Sequence, residues 1–251
     1  MQFNIRLHTF ALHSPITKES TMKMNLLKVI FGFLLLTGFT GLKAQTVPVT
    51  EGNEGKYKPS IYGTYYDAKR SFFESMPNDS NEIIFLGNSI TDMCAWNELF
   101  GMENVKNRGI SGDVINGVID RLEEVVSSFP KKIFLMIGTN DLARKRSVDQ
   151  ILTDYEKLIT LIIQKTPKTQ LYLQSVLPTK NQTTRNNNDI IEINKGINAL
   201  ANKYSLTYIN LFDLFKTPEN ELNMDYSYDG LHLNGQGYLL WKDAVIEYVV
   251  K

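Results

Sequence analysis

Residues 83–91 read IIFLGNSIT, and this stretch decides the fold. Four large apolar side chains in succession are typical of a strand buried on both faces, as in a parallel sheet. A glycine, an asparagine and a serine follow, so the chain is expected to leave the strand in a sharp turn. Comparable apolar runs predict further strands at 133–137, 171–177 and 208–211, and Val105 marks a shorter one.

Helical patterns alternate with these runs. An aromatic-rich helix is expected over 62–75, and Ser147 with Gln150 predicts a capping box at a helix start. Elsewhere apolar residues recur three and four positions apart, which places them on one helix face. These sets are Ile115, Val118, Leu122 and Val125; Ile151, Tyr155, Leu158 and Ile162; Ile190, Ile193, Ile197 and Leu200; and Tyr238, Trp241, Val245 and Tyr248. The alternation predicts an α/β protein, a three-layer α/β/α sandwich with a parallel sheet of about five strands.

The first part of the chain has the composition of an export signal. Lys28 precedes an apolar run over 29–42, and a small residue, Ala44, stands at a plausible cleavage point. A membrane anchor is the alternative, but spanning a bilayer takes roughly 20 apolar residues and this run is shorter. We therefore expect an exported protein, periplasmic or secreted, that is not inserted in a membrane after cleavage.

Three regions are expected along the chain. Residues 1–44 form an upstream leader and signal peptide, 45–80 a linker with a helical extension, and 81–251 the catalytic domain. Translation from Met22 or Met24 would give a more typical signal peptide than the printed start.

Charge and cysteine content narrow the function further. The whole chain has 27 Lys+Arg and 27 Asp+Glu; its first 44 residues hold five of the bases and one of the acids, which leaves 22 against 26, a net charge of −4. A mildly acidic chain without basic runs argues against nucleic acid as a partner. Cys94 is the single cysteine, so it forms no intramolecular disulfide and is most simply a small buried hydrophobe.

Polar motifs follow three of the predicted strands. They are Gly87-Asn88-Ser89, Asn107-Arg108-Gly109 and Gly138-Thr139-Asn140-Asp141. Ligands of open parallel sheets bind beyond the carboxyl ends of the strands, where such loops converge. We expect the segment 229–232, which precedes the last helix, at the same edge.

His232 is the only histidine outside the first 44 residues. A serine hydroxyl becomes a nucleophile when a base takes its proton, and histidine is suited to that near neutral pH. Ser89 and His232 therefore form a candidate pair, although alone each is as readily a turn serine or an exposed loop histidine. Asp229, three residues earlier, could orient the imidazole or merely form an Asx turn beside Gly230.

Acyl transfer also needs hydrogen-bond donors for the oxygen that becomes negative. Gly109 offers a backbone N–H group and Asn140 a side-chain amide. Each also has a simpler interpretation, as a turn glycine and as a helix cap.

The four segments, in this order, resemble the SGNH hydrolases, also called GDSL esterases, over nearly all of residues 82–251. The resemblance implies a flavodoxin-like sandwich and a serine esterase that uses no metal and no organic cofactor. By the same resemblance Ser89, Asp229 and His232 form the catalytic triad, and Ser89, Gly109 and Asn140 the oxyanion hole. Asn88 departs from the Asp common in the family, but it keeps an acceptor oxygen, so we expect the turn to persist.

Within the family, the motifs around 87–91 and 107–113 look like those of exported bacterial sialate O-acetylesterase or platelet-activating-factor acetylhydrolase-like enzymes. The loop 178–189 lacks large apolar residues, which slightly favours an acetylated sugar over a lipid. Trp96 and Arg108 are expected to contact the substrate, although Trp96 is as readily a core residue. The alternatives are a lysophospholipase or thioesterase acting on longer acyl chains, and an inactive glycan-binding module. The expected partner is a small-molecule or glycan ester, and the oligomeric state stays open.

Overall fold

The computed structural model describes residues 59–251. Its strands are β1 (Ile83–Gly87), β2 (Val105–Gly109), β3 (Lys132–Met136), β4 (Gln170–Gln174) and β5 (Thr207–Ile209). They form one parallel sheet in the order β2-β1-β3-β4-β5. The predicted strands are confirmed, with ends displaced by one to three residues, and so is the five-stranded parallel sheet.

Helices lie on both faces of this sheet. They are α1 (Thr64–Glu74), α2 (Ser89–Asp92), α3 (Trp96–Phe100), α4 (Ile115–Asp120), α5 (Leu122–Val126), α6 (Thr139–Ala143), α7 (Val148–Lys165), α8 (Asn187–Lys203), α9 (Phe212–Phe215) and α10 (Gly235–Val250). The predicted helix over 115–125 is in fact two short helices, because the chain leaves helical geometry at Arg121 (φ −108°, ψ 12°).

The strand order places a crevice at one edge of the sheet. From β1 the chain crosses to β2 on one side, and from β2 it returns past β1 to β3 on the other side. Loops that leave β1 and β3 therefore diverge at their carboxyl ends, and ligands of flavodoxin-like sheets bind at this switch point.

Alternate side chains of each strand enter two separate cores. Ile84 and Leu86 pack with the apolar faces of α7 and α8, whereas Ile83 and Phe85 face α10 and Trp241. Full burial of one such side chain contributes about 1.5–3 kcal/mol, so the two cores hold the sheet rigidly beneath the crevice.

The longer helices largely follow the predicted patterns. Ser147 and Gln150 form the predicted capping box of α7, with both reciprocal hydrogen bonds present. In α10 the buried stripe is Trp241, Val245 and Val249, whereas Tyr248 is 37% exposed. The prediction placed the last contact one residue early, because steps of four from position 241 lead to 249.

Helix α1 packs against the loop that follows β2. Tyr66 and Phe73 are buried with Ile110, and the Tyr66 hydroxyl donates to the Gly117 carbonyl at 2.7 Å. The predicted signal peptide and translation start lie outside the described residues. Between residues 59 and 251 we find no helix with the length and apolar character needed to cross a bilayer.

Candidate active site

Ser89 is the first residue of α2, directly after β1. The turn before it is tight, because a Cβ on Gly87 would overlap the Thr91 side chain and the backbone of β3. Asn88 caps α2, with its Oδ1 accepting from the Ile90 N–H group at 3.1 Å. The expectation that the turn persists with Asn88 is confirmed. Ser89 is 8% exposed, at the switch-point crevice.

His232 lies against Ser89 although the two residues are 143 positions apart. Its Nε2 is 3.0 Å from Ser89 Oγ, and its Nδ1 is 2.7 Å from Asp229 Oδ2. The structure therefore aligns the serine, the imidazole and the carboxylate in one hydrogen-bonded chain, as acyl transfer by a triad requires.

Asp229 satisfies both interpretations that its sequence allows. While Oδ2 contacts the imidazole, Oδ1 accepts from the backbone N–H groups of Leu231 (2.9 Å) and His232 (2.7 Å), which is an Asx turn. Gly230 completes the turn with φ +79°, and a Cβ there would overlap the Lys180 carbonyl. One short turn thus fixes the carboxylate and the imidazole relative to each other.

The ionisation of Asp229 fits this arrangement. Burial raises the pKa of its carboxyl group, but hydrogen bonds from the His232 side chain and from the backbone of His232 and Leu231 outweigh burial, so the pKa lies below its usual value. An ionised acceptor favours the tautomer with hydrogen on Nδ1, which leaves the Nε2 lone pair facing Ser89.

Asn140 stands near the start of α6, at the end of β3, and is 8% exposed. Its Nδ2 donates to the Asp113 carbonyl at 2.9 Å, and its Oδ1 accepts from Arg185 Nη2 at 3.0 Å. An amide nitrogen carries two hydrogens, so one stays available to a substrate oxygen.

Gly109, the other expected donor, is already engaged. Its N–H group donates to Asn107 Oδ1 at 2.7 Å, and its Cα packs so closely on α2 that a Cβ would overlap the Asp92 backbone. The prediction of Gly109 as an oxyanion donor is therefore wrong in this structure: the glycine is needed for close packing.

Gly112 has the properties expected of that donor. Its φ of +81° is left-handed, a Cβ there would meet open space, and its N–H group makes no hydrogen bond within residues 59–251. It directly precedes Asp113, to which the Asn140 amide is bonded. The motif 107–113 thus supplies the candidate oxyanion donor from Gly112, three positions later than the expected Gly109.

A buried ionic cluster lies behind this loop. Arg121, fully buried, donates to Asp113 (2.9 Å), to Glu124 (2.8 Å) and to the carbonyls of Gly87 (3.3 Å) and Arg108 (2.9 Å). One guanidinium thereby ties the carboxyl ends of β1 and β2 to the loop beside the candidate oxyanion site.

Helix α1 also reaches the site through Asp92, the last residue of α2. The Asp92 carboxylate accepts from Lys69 Nζ (2.7 Å), Tyr65 Oη (2.7 Å) and both the N–H and the hydroxyl group of Ser111 (3.1 and 2.7 Å). Burial raises the pKa of Asp92, but these donors outweigh burial and lower it. The N-terminal helix therefore holds α2 and the 109–113 loop together.

Two expected substrate contacts lie elsewhere. Trp96 is fully buried: it stacks on Phe85 with ring centroids 3.9 Å apart and donates from Nε1 to the Thr91 carbonyl. Arg108 is 5% exposed and pairs with Glu124 at 3.1 Å. The prediction that both contact substrate is wrong, because each side chain is engaged in interior contacts.

Cys94 is also buried, as interpreted, and burial raises the pKa of its thiol to about 12.

The structure adds residues that the sequence did not single out. Tyr228 is 62% exposed, its ring lies 6.1 Å from the His232 ring at an interplanar angle of 16°, and its hydroxyl is 3.9 Å from Met93 Sδ. An aromatic residue directly before Asp229 was a usable signal. No sequence signal marked Arg185, because it stands in an unbroken polar loop.

Within residues 59–251 no group of three or more His, Cys, Asp or Glu is placed to hold a metal ion.

A parallel sheet in this order, with a serine, a histidine and an aspartate at its switch point, defines the SGNH class of hydrolases. Residues 85–240 match the model of the GDSL-like lipase/acylhydrolase family, and the chain belongs to this family. It is accordingly a hydrolase that acts on esters.

The chain is similar to several known proteins. It is 27% identical over 169 residues to human platelet-activating factor acetylhydrolase IB subunit alpha2, covering 62% of this chain and 71% of that one. It is 28% identical over 194 residues to an N-acylneuraminate cytidylyltransferase of Escherichia coli, covering 72% of this chain but only 42% of that one. Among solved structures, a putative platelet activating factor from Streptococcus pneumonia superposes with a TM-score of 0.68 at 27% identity, covering 74% of this chain and 92% of that one.

Proposed function

We propose that this protein is a serine esterase that removes small acyl groups, above all acetyl, from carbohydrates. The observation that carries the proposal is the hydrogen-bonded chain from Ser89 Oγ through His232 to Asp229, with distances of 3.0 and 2.7 Å.

Acylation follows from this geometry. As Ser89 Oγ attacks the ester carbonyl carbon, its proton passes to His232 Nε2, and Asp229 stabilises the imidazolium. The tetrahedral intermediate then collapses: the bond to the alcohol oxygen breaks, and the imidazolium returns the proton to that oxygen. The sugar leaves as an alcohol, and the acyl group stays on the serine.

In deacylation, water gives a proton to His232 and attacks the acyl-serine carbonyl carbon. The bond from that carbon to Ser89 Oγ then breaks, the imidazolium returns the proton to Oγ, and the carboxylic acid leaves. In both halves the carbonyl oxygen becomes negative and needs donors. We assign this role to the N–H groups of Ser89 and Gly112 and to Asn140 Nδ2, with Gly112 in the place first expected for Gly109.

Three features support a small acyl group on a sugar. The loop 179–189 is entirely polar and borders the site, since Gln182 donates to the Asp229 carbonyl and Arg185 to Asn140. Tyr228 exposes an aromatic face beside the imidazole, and sugar rings pack well on such faces. One similar protein bears the name acetylhydrolase.

The test compares nitrophenyl esters of two to twelve carbons with the wild-type protein and Ser89→Ala. We expect the highest kcat/KM with the acetate ester and no turnover by Ser89→Ala at unchanged melting temperature. A maximum at eight carbons or more would favour a lysophospholipase or thioesterase, and residual activity of Ser89→Ala would refute the triad. Acetate release from acetylated sialic acids, xylan and pectin fragments then identifies the sugar.

We further propose that the protein is exported and that its leader is cut after Ala44. N-terminal sequencing of the protein from its native cells is expected to begin at Gln45. A sequence beginning at Met1 would refute both the cleavage and the later translation start.

A further inference from the structure

Arg185 lies in the polar loop between β4 and α8 and points toward the candidate oxyanion site. Its Nη2 donates to Asn140 Oδ1 at 3.0 Å, and its Nη1 is 3.5 Å from Gln182 Oε1. Its Nε is buried and has no hydrogen-bond partner. The shortest hydrogen bond of this guanidinium is therefore the one to the Asn140 amide in the candidate active site.

This arginine differs from the others that are partly or fully buried between residues 59 and 251. Arg70, Arg108, Arg121 and Arg146 each have a carboxylate partner within 3.3 Å, whereas Arg185 forms no ion pair with any described residue. Removing a cation from water without a counter-ion costs free energy, and burial accordingly lowers the pKa of Arg185. The Arg185 charge is therefore not explained by a contribution to the stability of the fold.

The chemistry of the two groups supplies the reason. A guanidinium has hydrogen-bond donors only, so it binds the oxygen of the Asn140 side-chain amide and not the nitrogen. With Oδ1 held by Arg185, Nδ2 must face the other way, where one hydrogen meets the Asp113 carbonyl and the second is left without a partner among the described residues, available to an oxyanion. A charge-assisted hydrogen bond also polarises the amide, which makes its N–H groups better donors.

We propose that Arg185 is a positioning residue of the oxyanion site, acting on the transition state through Asn140. This inference rests on the proposed function, since it needs an oxyanion to form at that place. It requires no contact between Arg185 and the substrate.

The test is a double-mutant cycle of Arg185→Met and Asn140→Ala, assayed on neutral nitrophenyl acetate. We expect Arg185→Met to lower kcat about 10-fold or more, within the roughly 10²- to 10³-fold loss typical of removing a donor, with KM changed less than 2-fold. In the Asn140→Ala background the same substitution is expected to have no further effect on kcat. Lys195→Met, which removes an exposed charge on α8, is the matched control and keeps the wild-type kcat.

Chemical rescue separates a catalytic role from damage to the fold. Arg185→Ala is expected to recover kcat when guanidinium ion is added at non-denaturing concentration, while Asn140→Ala and Arg185→Ala/Asn140→Ala do not. Equal losses from Arg185→Met in both backgrounds, or no recovery with guanidinium, would overturn the proposal. So would a loss confined to KM for esters that carry a carboxylate, because Arg185 would then anchor the substrate. If the wild-type protein cleaves no ester, the proposed function fails as well; if it does, these outcomes bear on Arg185 alone.

Discussion

Replacing Arg121 by methionine is expected to destabilise the fold by about 4 kcal/mol, since breaking a buried ion pair from one side typically costs about 3–5 kcal/mol. Methionine fills the space of the aliphatic stem, so the change isolates the guanidinium. Asp113 would retain one hydrogen bond, from the Val114 N–H group, and Glu124 would retain its contact with Arg108. The carbonyls of two strand ends also lose a donor, which argues against a value at the low end of that range.

The matched control is Lys165→Met. This substitution removes the partner of Glu123, the neighbour of Glu124, in an ion pair whose side chains are 46% and 76% exposed. Exposed pairs contribute less than about 1 kcal/mol, so the two variants contrast burial at nearly the same place. Urea denaturation followed by circular dichroism measures both free energies of unfolding.

The pH dependence gives a second criterion. Burial raises the pKa of Asp113, and Arg121 opposes that rise. Without the arginine, the pKa of Asp113 in the folded state rises further above its unfolded value. The folded variant therefore takes up a proton more readily, and the loss in free energy of unfolding becomes smaller as pH falls. We expect Arg121→Met to be less destabilising at pH 5 than at pH 8. A loss below 1 kcal/mol, or a penalty that does not vary with pH, would refute this account of the cluster.

Asp229→Asn should lower kcat by about 10³-fold or more with the fold intact, because an amide does not select the His232 tautomer that accepts the serine proton; an unchanged kcat would exclude Asp229 from the triad. Cys94 should resist iodoacetamide at pH 8 in the native protein and react on unfolding, since its buried thiol has a pKa of about 12; rapid native labelling, followed by mass spectrometry, would contradict its burial. Burial raises the pKa of Asp141 from 3.8 to about 6, so the folded state binds its proton more tightly and the free energy of unfolding falls by about 2 kcal/mol as pH rises from 4 to 6. Asp141→Asn should lack this decline in urea titrations across that range, and parallel pH profiles of the two proteins would count against it.

The fold was largely predictable because its signals are local. A strand buried on both faces has to be apolar throughout, and residues 83–86 and 133–137 satisfy that requirement without help from distant contacts. The break at Arg121 was hidden, because the apolar spacing from 115 to 125 continues across it. At this break the Arg121 guanidinium reaches the carbonyls of two strand ends, and contacts of that kind appear only in three dimensions.

The candidate site was predictable to the extent that its residues stand in compact motifs. Ser89, Asp229 and His232 are brought together because the ends of parallel strands share one edge. Gly109 and Gly112 stand in the same motif, and only the hydrogen bond from Gly109 to Asn107 shows which N–H group is occupied. The prediction that Trp96 and Arg108 contact the substrate was wrong because the neighbouring residues in the sequence do not determine whether a side chain faces the core or the crevice.

The separation of Ser89 from its base has a consequence in time. At a synthesis rate of about 5–20 residues per second, the 143 positions between Ser89 and His232 take roughly 7–30 s to translate. Throughout that interval the serine is an ordinary alcohol, since the imidazole that takes its proton has not been made. A nascent or truncated chain that stops before position 232 therefore cannot cleave esters by the proposed mechanism, and the first hydrolytic turnover would mark the moment when the last part of the topology closes. In cell-free translation a fluorogenic ester would make that moment visible without any added label.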